Sequence, residues 1–489
     1  MTPQTKIVTE SMNAAIRPTR RWIRGVGIAG IAVVLVAILG VGGVVTYAAL
    51  LLPQAPISPA EAALNPFNGR FLYALSDADM AATAYATNGL EQVEGLRDTL
   101  TLIKWAEDGK PTIAKDVIVS NSVMSWPQIA AASPDGRTIY VVEARPEVAD
   151  DIERIAPVQI AWPSGALLTR IDLADGAESA VTETYSVGVN PVHLALSPDG
   201  RHLAIGFRSV GDFIADYQLA ILPTDQLSDP SIYSTFVLQD AAGSTVTEVS
   251  SLAWHPSGNF LGMILDTDEI AFYRVNITDD QPVQLEPFGN RLTGHQTLSV
   301  GRFSVDGRFY FASELRWSQA NPLAMVINPP GEMIAVRFDD ATDDETAEHA
   351  EVSRVQVGLS PEGWALHPSG EFLVTVNMNR TYLPDAVAFL PGAQANSLSL
   401  VRIDPTTGEL SVIDHYGFEG VLPEDAVFDA DGDALAVVVY EYREDAIHEM
   451  GGVEFWNLNG ADTETPHLER TSVRVDVMRG PHVLGLIPE

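Results

Sequence analysis

A turn motif that returns seven times limits what this chain can fold into more than any other feature. Its fullest copy is Ala195-Leu196-Ser197-Pro198-Asp199-Gly200-Arg201-His202-Leu203-Ala204-Ile205, with variants at 132–141, 254–261, 303–311, 366–373 and 428–435 and a partial copy at 68–73. Each joins two apolar strands through four turn residues. Proline is preset for the second turn position, Asp or Ser caps the turn through its side chain, and glycine accepts a positive φ, so each copy predicts a hairpin. The turn glycines stand at 69, 136, 200, 258, 307, 370 and 432. One strand-rich unit repeated at this length is the pattern of a β-propeller blade with insertions, and the expected fold is all-β, with seven four-stranded blades.

Period-2 alternation and β-branched content divide each unit into strands A (innermost) to D. Around Gly200 these fall at 192–197, 202–207, 217–222 and 233–238; around Gly370 they fall at 363–367, 372–376, 397–403 and 410–415. The first unit has B (71–75), C (99–105) and D (112–120), but nothing before Gly69 makes a strand A. At the far end, Gly480-Pro481-His482-Val483-Leu484-Gly485-Leu486-Ile487-Pro488 parallels Asn190-Pro191-Val192-His193-Leu194-Ala195-Leu196-Ser197-Pro198. The C-terminal strand is therefore expected to complete the first blade and close the ring. Residues 67–489 form one propeller in this reading.

Before the propeller, residues 1–24 form a basic tail with Lys6, Arg17, Arg20, Arg21 and Arg24 against one acid, Glu10. Residues 25–52 carry no charge, and 28 such residues exceed the roughly 20 needed to cross a bilayer. A cleaved leader has a shorter apolar core, so the expectation is a retained signal anchor: one N-terminal transmembrane helix with its basic flank in the cytoplasm. Gly25-Val26-Gly27-Ile28-Ala29-Gly30 spells the dinucleotide-binding glycine pattern, but it follows no strand and opens no βαβ unit. Pro53, Pro56, Pro59 and Pro66 make 53–66 a stiff spacer. The localisation that follows is the cytoplasmic (inner) membrane, single-pass, with the propeller in the periplasm or outside the cell.

The formal charge is −36, and beyond residue 52 there are 24 basic and 64 acidic residues, a net of −40. Such a surface repels nucleic acid and anionic lipid heads, and suits solubility, high salt or a cationic partner. With no cysteine, thiolate catalysis, disulfides and iron–sulfur sites are excluded. The ten histidines lack close metal-ligand spacing, and Asp429-Ala430-Asp431-Gly432-Asp433 occupies an ordinary turn position. There is no Gly-x-Ser-x-Gly elbow and no phosphate-binding Gly-Lys-Ser/Thr loop. No metal and no cofactor are expected.

The proline, apolar strand and Ser-Pro-Asp-Gly-Arg turn of 191–201, together with the strand end Ala312-Ser313-Glu314-Leu315, resemble the seven-bladed propellers of the lactonase family (6-phosphogluconolactonase and YVTN-repeat type). The resemblance covers about residues 66–489. It implies His193 and Glu314 as acid–base residues of a lactone hydrolase. Val192 stands where that family has arginine, so Arg316 or Arg380 would have to replace its cation.

If strand A runs into the Pro-Asp-Gly turn, the turns share one face, and the D–A and B–C connections share the other. B–C connections are long at 144–165, 315–331 and 378–396 and shorter at 441–450. They bring Trp162, Trp317, Tyr382, Phe389 and Tyr442 alongside Glu143, Arg145, Arg208, Glu314, Arg316, Asn377, Asn379, Arg380, Glu441 and Arg443. Long loops on a rigid scaffold are where binding is usually placed, and interblade ion pairing is the competing use for these charges. Two functions of different classes fit. The first, preferred because of Val192 and the loop inserts, is a membrane-tethered binding or scaffold module for a periplasmic or membrane protein, or for a small-molecule ligand. The second is a lactonase-like hydrolase using His193, Glu314 and Arg316.

Overall fold

Six of the seven turn copies, all but the partial one at 68–73, close as hairpins in the structure, a computed structural model that describes residues 54–489 except 81, 88, 122–125, 150–151, 153, 156–161, 174–175, 212–213, 279–280, 318–323, 342–346, 444–449 and 489. In the copy around Gly200, Gly200 N donates to Ser197 O (2.8 Å), Ser197 Oγ donates to Asp199 Oδ1 (2.6 Å), and that carboxylate also accepts from Arg201 N (3.0 Å). The turn glycine has a second duty where a histidine precedes it by one blade. His255 Nε2 meets Gly307 O at 3.1 Å, and a Cβ on Gly307 would lie 2.2 Å from that nitrogen. His367 stands in the same relation to Gly432, where the corresponding distance is 2.0 Å.

The strands assemble into seven antiparallel four-stranded blades, in chain order A-B-C-D for blades 2 to 7, with a short fifth strand, Leu292–Thr293, added to the third strand of blade 4. Blade 3 consists of Pro191–Leu196, His202–Phe207, Leu219–Pro223 and Ser234–Phe236. Blade 6 consists of Pro361–Leu366, Phe372–Asn377, Asn396–Ile403 and Leu410–Phe418. Blade 1 takes its strand A from the C-terminus: Pro481–Ile487 pairs antiparallel with Phe71–Ser76, from Phe71 opposite Ile487 to Leu75 opposite Val483. The predicted ring closure is the observed one.

Burial follows from blade stacking. The B strands are buried on both faces, as in Phe372–Asn377, because a neighbouring blade covers each side, while outer strands such as Val181–Ser186 are mostly exposed. The interfaces are apolar: between blades 4 and 5, Phe272 and Phe303 each pack edge to face on Tyr310 and Phe338, with ring centroids 5.1–5.4 Å apart.

The proline-rich segment expected as a free spacer is laid along the propeller from residue 54 onward. Ile57 bridges Gly417 and Ala62 bridges Thr471, both in parallel, so the segment covers the outer strands of blades 6 and 7, Leu410–Phe418 and His467–Met478. Gly417 N donates to Pro56 O at 2.9 Å and Ser58 N to Gly417 O at 2.8 Å. An open strand edge carries unmet N–H and C=O groups, and this pairing answers them. The basic tail and residues 25–52 lie outside the described residues. Among the described residues no helix is long and apolar enough to cross a membrane.

Candidate functional site

The B–C and D–A connections do share one face, and the side chains expected there fall into two groups. The first sits over blades 2 and 3. His193, on strand A, is fully buried, and burial with the nearby Arg208 guanidinium holds its imidazole well below the usual range, in the neutral form. Arg208 is ion-paired with Glu248. Arg145 is pushed down to about 10 by burial and by the charge of Arg208. It spends its guanidinium on its own loop, with Nη1 donating to Trp162 O (3.2 Å) and Ser164 Oγ (2.9 Å). Trp162 is 1% exposed and donates to Pro146 O. With Leu90 and Val148 it forms a small core beneath the loops of blades 1 and 2, which Leu90–Glu91 and Arg154–Ile155 knit into a two-stranded sheet. Burial raises the Glu143 carboxyl.

The second group lies over blades 5 to 7. Glu314 is buried at the end of Phe309–Glu314, where it accepts from Gln296 N and pairs with Arg354. Burial alone would raise its carboxyl, but His295, the Gln296 N–H and Arg354 together hold it below the usual range. Arg316 donates to Glu332 Oε1 at 3.0 Å, and Arg354 reaches Glu332 Oε2 at 2.6 Å, so both predicted residues belong to one ion-pair network. Such a carboxylate is a weak base. Trp317 and Tyr382 meet at 5.9 Å between rings and both approach Ser360 Oγ, at 3.1 and 3.5 Å. Asn377 donates to Ser397 and Ser399, Asn379 to Ala395 O, and Arg380 to Pro391 O and Asn328 O. Arg443 crosses from blade 7 to Asp385, Thr381 O and Ala393 O, and Glu441 joins Val421 through its backbone.

Most of the expected binding residues therefore fasten the loops rather than face solvent. Arg316 and Asn379 occupy the same corner after strand B and share positive φ values of 59° and 52°, held by backbone bonds to Gln296 O and Leu359 O. The connections of this face also expose large apolar side chains, Phe389 (70% exposed), Ile214 (65%), Val189 (42%) and Ile152 (40%), beside charged ones such as Asp385.

Three features of the interior escaped the sequence reading. Asp77, Asp79 and Asp98 bring carboxylate oxygens within 4.8 Å of one another in the loops of blade 1. They cap those loops, accepting from Met80 N, Val148 N, Ala78 N and Asn121 N, and burial with neighbouring Asp79 raises Asp98 far above the usual range. The central channel is crossed beneath the looped face by Gln128, which donates to Leu252 O and Gly301 O (both 3.4 Å) and accepts from Ser251 Oγ (2.6 Å). Trp126, from the same blade, packs on the cluster around Trp364 of blade 6. Below Gln128 lies a cavity of about 510 Å³ lined by Arg302 and Asp425 among alanines, leucines and the rings of Trp254 and Phe303, with Pro256 and Val305 of the turns also in its lining. Aligning the repeats would have flagged Arg302, since it breaks a run of small residues.

The fold defines a class, the seven-bladed propeller with lactonase-like structural neighbours. Among solved structures, a 6-phosphogluconolactonase-like protein of Bacteroides uniformis matches with a TM-score of 0.56 at 14% identity, over 86% of this chain and 100% of its own. The periplasmic gluconolactonase of Pseudomonas aeruginosa matches with a TM-score of 0.53 at 16% identity, over 85% of this chain and 99% of its own. No protein-family model and no curated protein sequence matches the chain. At these identities the likeness is one of fold.

Proposed function

We propose that the chain is a membrane-tethered, extracytoplasmic propeller whose looped face is a binding platform for a protein partner. The observation that carries this reading is the display of Phe389, Ile214, Ile152 and Val189 on loops whose stems are stapled from within. A pre-ordered display loses little freedom on association, and apolar tips in an acidic surround suit a partner with an apolar centre and a basic rim. The tether rests on the uncharged segment 25–52 and its basic flank. Replacing Phe389 and Ile214 together by Asp should weaken partner capture from solubilised membranes tenfold or more, with the melting temperature unchanged. Undiminished capture would remove the platform. A reporter enzyme that works only outside the cytoplasm, fused after Glu489, should be active; activity from a cytoplasm-only reporter there would reverse the topology.

A second reading, lactone hydrolysis, draws on the fold likeness and on one local feature, the neutral imidazole of His193 under the influence of the Arg208 guanidinium. That is a base beside a cation suited to a developing oxyanion. Under it, His193→Ala lowers turnover of a lactone panel about a hundredfold. Turnover no faster than buffer would end this reading and leave the platform standing.

A further inference from the structure

We propose that the central channel, on the side of the Pro-Asp-Gly turns, is a binding site for a short-chain aliphatic carboxylate whose head group is anchored by Arg302. The site is separate from the looped face, because Gln128 spans the channel between them. Five residues before the turn glycine, strand A carries Ala131, Ala195, Ala253, Ala365 and Val427 in blades 2, 3, 4, 6 and 7, and Gly485 takes the same level in blade 1 by the likeness of 480–488 to 190–198. In the fifth blade the position is Arg302. Ala131, Ala195, Ala253 and Val427 line the cavity and leave the room, and Arg302 puts a cation into it. The 510 Å³ cavity is of the size that small-molecule sites occupy.

The guanidinium is held in place. Nη1 donates to Trp364 O at 2.6 Å, the Trp364 ring lies 5.3 Å from its centre, and Nη2 stands 3.6 Å from Asp425 Oδ1. About a third of the Arg302 side chain stays exposed, whereas Asp425 is 1% exposed and sits behind it, accepting from Leu484 N. An incoming anion therefore meets Arg302 first. The walls are apolar: Leu366, Val483 and Leu486 line the same cavity, so a carboxylate with an alkyl tail satisfies both the cation and the lining. The chain's net charge of −36 is screened within about 8 Å at physiological ionic strength, and does not cancel a cation at contact distance.

Asp425 sets how much of that cation is available. The charged and titratable groups acting on it are Arg302 and the Tyr73 hydroxyl; burial pushes its carboxyl up to about 6, with Arg302 opposing. Above pH 6 the carboxylate offsets Arg302, and below it Asp425 is neutral and the guanidinium charge is uncompensated. Anion affinity should therefore rise as pH falls, and bound anion should in turn raise the pH at which Asp425 takes its proton.

The test is titration of the full-length chain, in non-ionic detergent, with acetate, propionate and butyrate at pH 7.5 and 5.5, read by calorimetry and tryptophan fluorescence. Affinity should increase roughly three- to fourfold per methylene. It should increase roughly tenfold from the higher to the lower pH. Arg302→Gln should abolish binding, while Asp425→Asn, which keeps an acceptor for Leu484 N, should bind at pH 7.5 as tightly as the parent does at pH 5.5. Equal binding of all three acids, butyrate binding that survives Arg302→Gln, or no binding at either pH would each overturn the proposal. Should Arg302→Gln fail to fold, the Asp425→Asn profile decides alone: an unchanged dependence on pH refutes the site.

Discussion

Removal of residues 481–489 is expected to destroy the monomeric folded state. The strand Pro481–Ile487 buries Val483, Leu484 and Ile487, which are 2%, 5% and 0% exposed, and it is the inner strand of blade 1. Without it, Phe71–Ser76 becomes an open inner edge, and the apolar contacts that Leu484 and Ile487 make with the neighbouring blades are lost. Fully burying such side chains is worth about 1.5–3 kcal/mol each, and a typical domain has only about 5–15 kcal/mol in total. Size-exclusion chromatography should show aggregates, and thermal melting should lose its cooperative transition. Monomeric elution with an unchanged melting temperature would mean that the ring is held by other contacts.

Arg470→Met should have the next largest effect. Arg470 makes paired bonds of 3.0 Å to both oxygens of Glu454 and a third, 2.6 Å, to Glu419, with Tyr442 Oη donating to Glu454 Oε1 at 3.2 Å. Glu454 is 5% exposed, and burial already raises its carboxyl despite the arginine beside it. Taking away the cation leaves an uncompensated buried charge, a loss of about 3–5 kcal/mol at neutral pH. The sign with pH follows from the direction of the shift. A carboxyl whose folded-state pKa is raised is destabilising when ionised, so the variant should recover as pH falls through that raised value and Glu454 takes a proton. Urea unfolding at pH 7.5 and 5 measures it, and an equal deficit at both values would place the loss in packing instead of charge.

The fold was legible because its determinants are local. Ser197, Pro198, Asp199 and Gly200 specify their turn through their own side chains and φ preferences, and seven returns of that turn leave few architectures. Even ring closure could be read, from the likeness of 481–488 to 191–198. The looped face was legible only as an address. Trp162, Arg145, Arg380 and Tyr382 were placed on the correct loops, yet they turn inward, because a long connection must satisfy its own carbonyls and bury its own apolar atoms before it can present anything. Sequence distance also hid the partners that matter most: Gln128 meets Gly301, Arg302 meets Asp425, and Ile57 meets Gly417 across the ring or along its rim. The docked course of 54–65 had no pattern to announce it, since Pro-rich composition fits an extended segment whether free or paired.

The pairing of Pro481–Ile487 with Phe71–Ser76 also fixes when the molecule can finish folding. Phe71–Ser76 leaves the ribosome early, and its partner is made about four hundred residues later, an interval of roughly 20–80 s at 5–20 residues per second. Through that time the nascent chain carries Phe71–Ser76 with its inner edge unpaired. The ring can close only once Pro481–Ile487 has been made, so synthesis and closure are separated by that interval.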